Sequence, residues 1–193
     1  TYDKNRHFYT TISPSMDILV SSNLERLLYH MTGGDTQKVS GWMAQLAHEG
    51  RYTVDETVLR QIQSLFYGGH CNDEDTERTI KMMFDTEHYL CDTHTAVAIN
   101  VYKQYVEQSG DRATPTVIAS TASPYKFAAS VLQALEGGRP NGDEFAMVES
   151  LSALTGTAIP APILALKEKG VRFNRVCDTA SMLEVVFDTL GIR

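Results

Sequence analysis

The sequence of 193 residues has little of what several protein classes require. Basic residues are in deficit: 17 Lys and Arg stand against 24 Asp and Glu, for a formal charge of −7. With no basic stripe to neutralise phosphates, that balance argues against a nucleic-acid partner. The acidic residues are scattered except for "DEDTE" at 73–77, so no acidic tail is implied. No apolar run reaches the length that crosses a bilayer, and no signal-peptide pattern is visible, so no membrane partner is expected. Cysteine is scarce and odd in number, and a chain with this much apolar content does not need staples. Cys71, Cys91 and Cys177 therefore point to a reduced, cytoplasmic setting. No glycine-rich phosphate loop follows a strand, because "MTGGD" and "YGGHC" come after helical patterns and read as helix stops. The chain begins at Thr1 rather than Met, and a processed start or a piece of a longer protein both fit that beginning.

What is present is helical periodicity. Ser22 and Glu25 have the spacing of a capping box, ahead of Leu24, Leu27, Leu28 and Met31 on one face. Val39, Trp42, Met43 and Leu46 predict a second helix, stopped near Gly50. Thr53 and Glu56 repeat the capping spacing before Val58, Leu59, Ile62 and Leu65. Further helices are expected over about 73–87, 93–107, 142–155 and 161–169. Ser123 reads as an N-cap with Pro124 at the first helical position of a helix ending at Gly137-Gly138, and Asp178 reads as the cap of a last helix closed by Gly191. Val117, Ile118 and Ala119 form a short continuous apolar run, read as a buried strand of a parallel sheet, and "VRFNRVC" at 171–177 alternates like a second strand. Two strands make a poor sheet, so either strands near 8–20 go unread or other sequence completes it. Periodicity alone gives a helix-rich α/β chain.

Several constellations carry chemistry weakly. His88, Cys91 and His94, with His70-Cys71 nearby, have three-residue spacings but not the paired ligand pattern of zinc motifs, so no metal is expected. Ser123 to Lys126 matches Ser-x-x-Lys, yet no Lys-Thr-Gly is present and "SSN" at 21–23 precedes it, so the cap is the better reading of Ser123. Ser120 and Thr121 end the expected strand, where ligands sit in open α/β sheets. Ser and Thr also serve turns commonly, and both readings stay open on the residues alone.

Three stretches carry a resemblance. "TISPSMDILVSSNLERLLY" at 11–29, "DTHTAVAINVY" at 92–102 and "VIASTASPYKFAASVLQAL" at 117–135 resemble, in order and spacing, the S-P-[SA]-M-D-I-x-V-S-S-N-F-E-R-L-L, D-P-H-T-A-V and S-T-A-H-P-A-K-F segments of threonine synthases. The resemblance is to the C-terminal part of that family. It implies a helix-rich C-terminal portion of a tryptophan synthase β-like (fold type II) pyridoxal-phosphate enzyme with an incomplete parallel sheet, the 193 residues forming a single fragment. The intact family member converts O-phospho-L-homoserine and water to L-threonine and phosphate. The family's Schiff-base lysine and phosphate loop lie N-terminal to the S-M-D-I motif and are absent here, so no catalytic residue is assigned and no turnover by the isolated chain is expected. The resemblance places Thr121 on the pyridine nitrogen of the cofactor, with Ser120 beside it, and Asp92, His94 and Thr95 in a loop near the cofactor. It implies as partners the phosphohomoserine substrate and the missing N-terminal part, and a truncated sheet would expose an edge for self-association. Ser123, Thr93 and Leu24 stand where the family has His, Pro and Phe, so no role of that His carries over. Two other readings remain: a related phospho-lyase on another γ-phosphorylated amino acid, and a non-catalytic helix-rich binding or scaffolding domain.

Overall fold

The computed structural model describes residues 1–138 and 140–192. It divides into two compact units, residues 1–158 and 159–193. In the first, β1 (Tyr2–Asp3) pairs antiparallel with β2 (Arg51–Tyr52), with Tyr2 opposite Tyr52. Between them lie α1 (Ser22–Met31) and α2 (Thr36–Glu49), and α3 (Glu56–Leu65) follows. Their apolar stripes meet in one cluster of Leu28, Val39, Trp42, Leu46, Tyr52 and Val58. The rings of Tyr2 and Trp42 each stack on Tyr52, at centroid separations of 5.5 and 6.1 Å. α2 ends at Gly50, whose φ of 77° turns the chain into β2, and a Cβ there would lie 2.3 Å from Asn5 Nδ2.

The caps differ from the capping boxes read in the sequence. α1 is preceded by Ser21, which makes no side-chain cap bond. α3 is capped by Asp55, not Thr53. The Asp55 carboxylate accepts from Val58 N–H and pairs with Lys38 at 2.9 Å, an arrangement a neutral hydroxyl two residues earlier cannot match.

α4 (Asp73–Glu87), α5 (Thr93–Ser109), α6 (Ala128–Glu136) and α7 (Glu144–Thr155) form the rest of the first unit. α4 packs on α5 and α6, and α6 on α7. Ile80, Ala96, Ile99, Val131, Leu132, Val148 and Leu151 are buried there. Ser123 does cap the turn that Pro124 opens: its Oγ accepts from Tyr125 N–H, and a 3-10 turn (Pro124–Phe127) leads into α6.

The second unit holds α8 (Ala161–Lys167), a 3-10 turn at Thr179–Ser181 and α9 (Met182–Leu190), closed by Gly191. Arg175 pairs with Asp188 at 3.1 Å.

The helix-rich reading agrees with this architecture. The two expected strands do not form: 117–119 and 171–177 belong to no ladder, and the one sheet among the described residues is β1–β2. Val117 is 95% and Val176 94% exposed, so neither segment is buried. Their β-branched residues favour extended backbone, but a strand is defined by a partner, and none lies beside them among the described residues. The unread pair, β1 and β2, consists of two residues each, too short for an alternating pattern to show.

Candidate functional site

The site grows from one buried carboxylate. Asp92 is the N-cap of α5 and is 0% exposed. Its Oδ1 accepts from the backbone N–H of His94 at 2.9 Å and of Thr95 at 3.3 Å, satisfying donors that the first helical turn leaves open. The hydroxyl of Thr95 hydrogen-bonds Asp92 Oδ2. His94 Nδ1 lies 3.2 Å from Asp92 Oδ1, and its Nε2 accepts from the backbone N–H of Ser15 at 3.1 Å. Because Nε2 is an acceptor, the ring proton of the neutral tautomer belongs on Nδ1, facing Asp92. The Phe127 ring lies against the imidazole, centroids 4.7 Å apart. Asp92, His94 and Thr95 therefore occupy a cap and the first turn of a helix, not the loop the resemblance implies.

His94 thereby anchors the 11–17 segment. That segment is also tied to itself: Asp17 accepts from Thr11 N–H at 2.7 Å and from the Thr11 hydroxyl at 2.8 Å, and Met16 N–H returns to Ser13 O. Ile12 N–H donates to Asp73 in the first turn of α4. The polar residues of "TISPSMD" thus hold a turn and dock it on the starts of two helices.

Ser120 joins the same group from the other side. Its Oγ lies 3.3 Å from Thr95 Oγ1 and 3.2 Å from the Tyr89 hydroxyl. Thr121, next along, is exposed and makes no hydrogen bond with the described residues. The structure therefore gathers Asp92, His94, Thr95 and Ser120 and leaves Thr121 facing solvent beside them. Tyr89 and Ser15 belong to the group although nothing in spacing singles them out. Ser15 lies inside "TISPSMD", part of a stretch that carries the family resemblance, which is the signal that could have flagged it, whereas Tyr89 lies outside all three such stretches and no signal marked it.

Neighbouring groups are chemically quiet. Burial, and secondarily the Asp92 carboxylate, push the Cys91 thiol up to about 11, so it is not a nucleophile at neutral pH. Burial also raises Cys71, against the opposing Thr76 hydrogen bond. His88 terminates α4, and no group of three His, Cys, Asp or Glu is placed to hold a metal among the described residues. Glu25 and Arg26 line an open hollow of about 360 Å³ between α1 and α2, away from this group.

Comparison with known proteins shows what the chain is similar to. Residues 95–182 match the family "Threonine synthase, C-terminal". The chain is 33% identical to the threonine synthase of Saccharomyces cerevisiae over 149 residues, which is 70% of this chain and 29% of that protein. The crystal structure of threonine synthase from yeast matches with a TM-score of 0.78 at 26% identity, over 98% of this chain and 38% of that one. A pyridoxal-phosphate-bound threonine synthase from Brucella melitensis matches with a TM-score of 0.63 at 34% identity, over 75% of this chain and 30% of that one. The chain thus spans less than two fifths of the proteins it resembles. By sequence and by fold it is related to threonine synthases, as the counterpart of a C-terminal portion of those enzymes.

Proposed function

We propose that this chain is the C-terminal part of a pyridoxal-phosphate lyase that converts O-phospho-L-homoserine and water to L-threonine and phosphate, in threonine biosynthesis. The observation that carries the reading is the pair at 120–121. Ser120 is tethered to the Thr95–Asp92 group, and Thr121 beside it presents an exposed hydroxyl with no partner among the described residues. That donor suits the pyridine nitrogen of the cofactor. An alcohol can donate a hydrogen bond to that nitrogen but is far too weak an acid to protonate it. The rest of the cofactor's binding set, its lysine and phosphate loop, would come from the N-terminal part of the same protein.

When bound, the cofactor supplies an electron-withdrawing ring that stabilises negative charge at carbon. Thr121 would orient the ring and keep its nitrogen unprotonated. Asp92, His94 and Thr95 act behind it, by fixing the start of α5, which holds the 11–17 segment through His94 and touches Ser120 through Thr95. The 193 residues would then work as one fragment of the cofactor-binding domain, with the unpaired 117–119 segment entering a sheet completed by the N-terminal part. Three free cysteines, one of them exposed, support a reducing, cytoplasmic setting. Left alone, the extended 117–119 segment is a place where copies of the chain would associate.

The test uses the protein expressed from the full reading frame that contains this chain, supplied with pyridoxal phosphate. Phosphate release from O-phospho-L-homoserine with equimolar threonine, weakened in Thr121→Ala, is expected. A cofactor-loaded protein that releases neither product on this substrate overturns the assigned reaction, and a protein that takes up no cofactor overturns the site.

A further inference from the structure

The two ring nitrogens of His94 do opposite things. Nδ1 faces the Asp92 carboxylate at 3.2 Å, and a carboxylate only accepts, so that nitrogen carries a proton. Nε2 accepts the backbone N–H of Ser15 at 3.1 Å, and a backbone N–H can only donate. The bond therefore exists only while Nε2 keeps its lone pair. A proton there would turn the acceptor into a second donor, aimed at the donor of Ser15. Proton and amide compete for one lone pair, and histidine is the side chain whose charge ordinarily changes between pH 5 and 8.

The charges around the ring come from the elements packed on it. On its own helix the imidazole faces Asp92, with the Thr93 hydroxyl 3.4 Å from Nδ1. Asp92 is also the counter-charge that an imidazolium needs where the ring is 4% exposed. From the 124–127 turn comes the Phe127 ring, and the Lys126 ammonium lies 5.5 Å from the centroid of that ring. From the 11–17 segment comes Ser15, while the carboxylate of that segment, Asp17, accepts from the amide and the hydroxyl of Thr11. Asp73 of α4 accepts from Ile12 N–H at 3.1 Å. The segment is thus held at two points of different chemistry. Its Ile12 end rests on a carboxylate, a class of group that ordinarily titrates well below histidine, and its Ser15 end rests on an imidazole.

We propose that His94 is a pH-sensitive latch for the 11–17 segment. With the imidazole neutral the segment is docked on α5. When Nε2 takes a proton from solvent, the Ser15 bond breaks and residues 13–16 lift away, with Ile12 as the fixed end. The inference goes beyond the reaction proposed above and does not depend on it.

The experiment uses the protein expressed from the full reading frame that contains this chain, and follows hydrogen exchange by mass spectrometry from pH 8 to pH 5. Exchange at the imidazole C2 carbon reports the charge of His94. Amide exchange, corrected for its intrinsic pH dependence and resolved by electron-transfer fragmentation, reports the segment residue by residue. Protection at Ser15 is expected to fall about tenfold, the scale of one lost hydrogen bond, with the same midpoint as His94. Ile12 should keep its protection across that range. In His94→Gln, whose amide oxygen can accept from Ser15 but does not titrate, protection at Ser15 should not vary with pH. Constant protection at Ser15 through the titration of His94 overturns the proposal, and so does an imidazole that stays neutral until the whole protein unfolds. A parallel loss at Ile12, or a fall at Ser15 that persists in His94→Gln, overturns it as well. The comparisons within the parent protein decide the matter even where the variant does not fold.

Discussion

Ser15 N–H donates to Nε2 of His94 across 79 residues of sequence, at 3.1 Å. The bond joins two of the three stretches that carry the family resemblance and explains why a histidine belongs at the start of α5. The imidazole is 4% exposed, with one nitrogen toward Asp92 and the other toward the 11–17 turn. His94→Ala strips both partners at once and opens space beside Phe127. A loss of about 2–4 kcal/mol in urea unfolding is expected, from unpaired buried groups and a cavity together. Protease cleavage within 11–17 should speed up in the same variant. Unchanged cleavage would mean that the Asp17 and Asp73 bonds alone hold the turn.

Asp92 invites a graded test, because asparagine caps helices about as well as aspartate. Asp92→Asn keeps an oxygen for the His94 and Thr95 amides but turns an NH2 group toward the Thr95 hydroxyl, which must then accept. About 1–2 kcal/mol should be lost. Asp92→Ala leaves the two amides, the Thr95 hydroxyl and His94 Nδ1 without this acceptor in a buried place, and about 3 kcal/mol or more should go. Equal losses in the two variants would show that charge, not capping, is what Asp92 supplies.

How much of this was legible in the sequence follows from the range of each interaction. The helices of residues 22 to 109 are readable because their apolar stripes recur every three or four residues, and Ser123-Pro124 is readable because a cap is a contact two residues long. Val117 to Ala119 misleads, since a run of β-branched and small residues reports backbone preference and says nothing of whether a second strand lies beside it. Ser120 and Thr121 are marked first by their place after the 117–119 run and then by resemblance, which alone marks Asp92 and Thr95 and gives His94 its place near the cofactor. Spacing could not have paired Ser15 with His94 or Tyr89 with Ser120, because those contacts depend on how α4, α5 and the 11–17 turn pack. Asp55 displaced Thr53 as a cap for a similar reason, its partner Lys38 lying on another helix.

Stability should fall at both ends of the pH scale, for separable reasons. Burial first, and the nearby Tyr2 phenol second, push the Tyr52 phenol up to about 12, and burial holds the Cys91 thiol at about 11. Unfolding lets both ionise near their ordinary values of 10.0 and 9.0, so the unfolded state binds fewer protons in the window between. Their contribution is therefore complete below pH 9.0 and lost as pH rises through about 11 and about 12. Cys91→Ser or Cys91→Ala should flatten the first part of that decline in urea melts taken from pH 8 to 11. At the acid end, Asp55 is held below its ordinary 3.8 by the Val58 amide and then by Lys38, and Asp111 by the hydroxyl and then the amide of Thr114. Their contribution is present above that value and disappears as pH falls through the depressed one. Asp55→Asn should remove part of the acid sensitivity, with the salt dependence that an exposed pair implies.

His88 is the single non-glycine residue with positive φ among the described residues, and it stands where α4 stops. A β-carbon in that conformation crowds the following carbonyl, and glycine is the residue helices use there. His88→Gly should stabilise the chain by about 1 kcal/mol, less the entropy of a freer unfolded state. His88→Val should destabilise it by a comparable amount, because a branched side chain tolerates the left-handed turn worst. Urea unfolding of the two variants checks the pair. A His88→Gly variant no more stable than the parent would show that the left-handed turn costs this residue nothing.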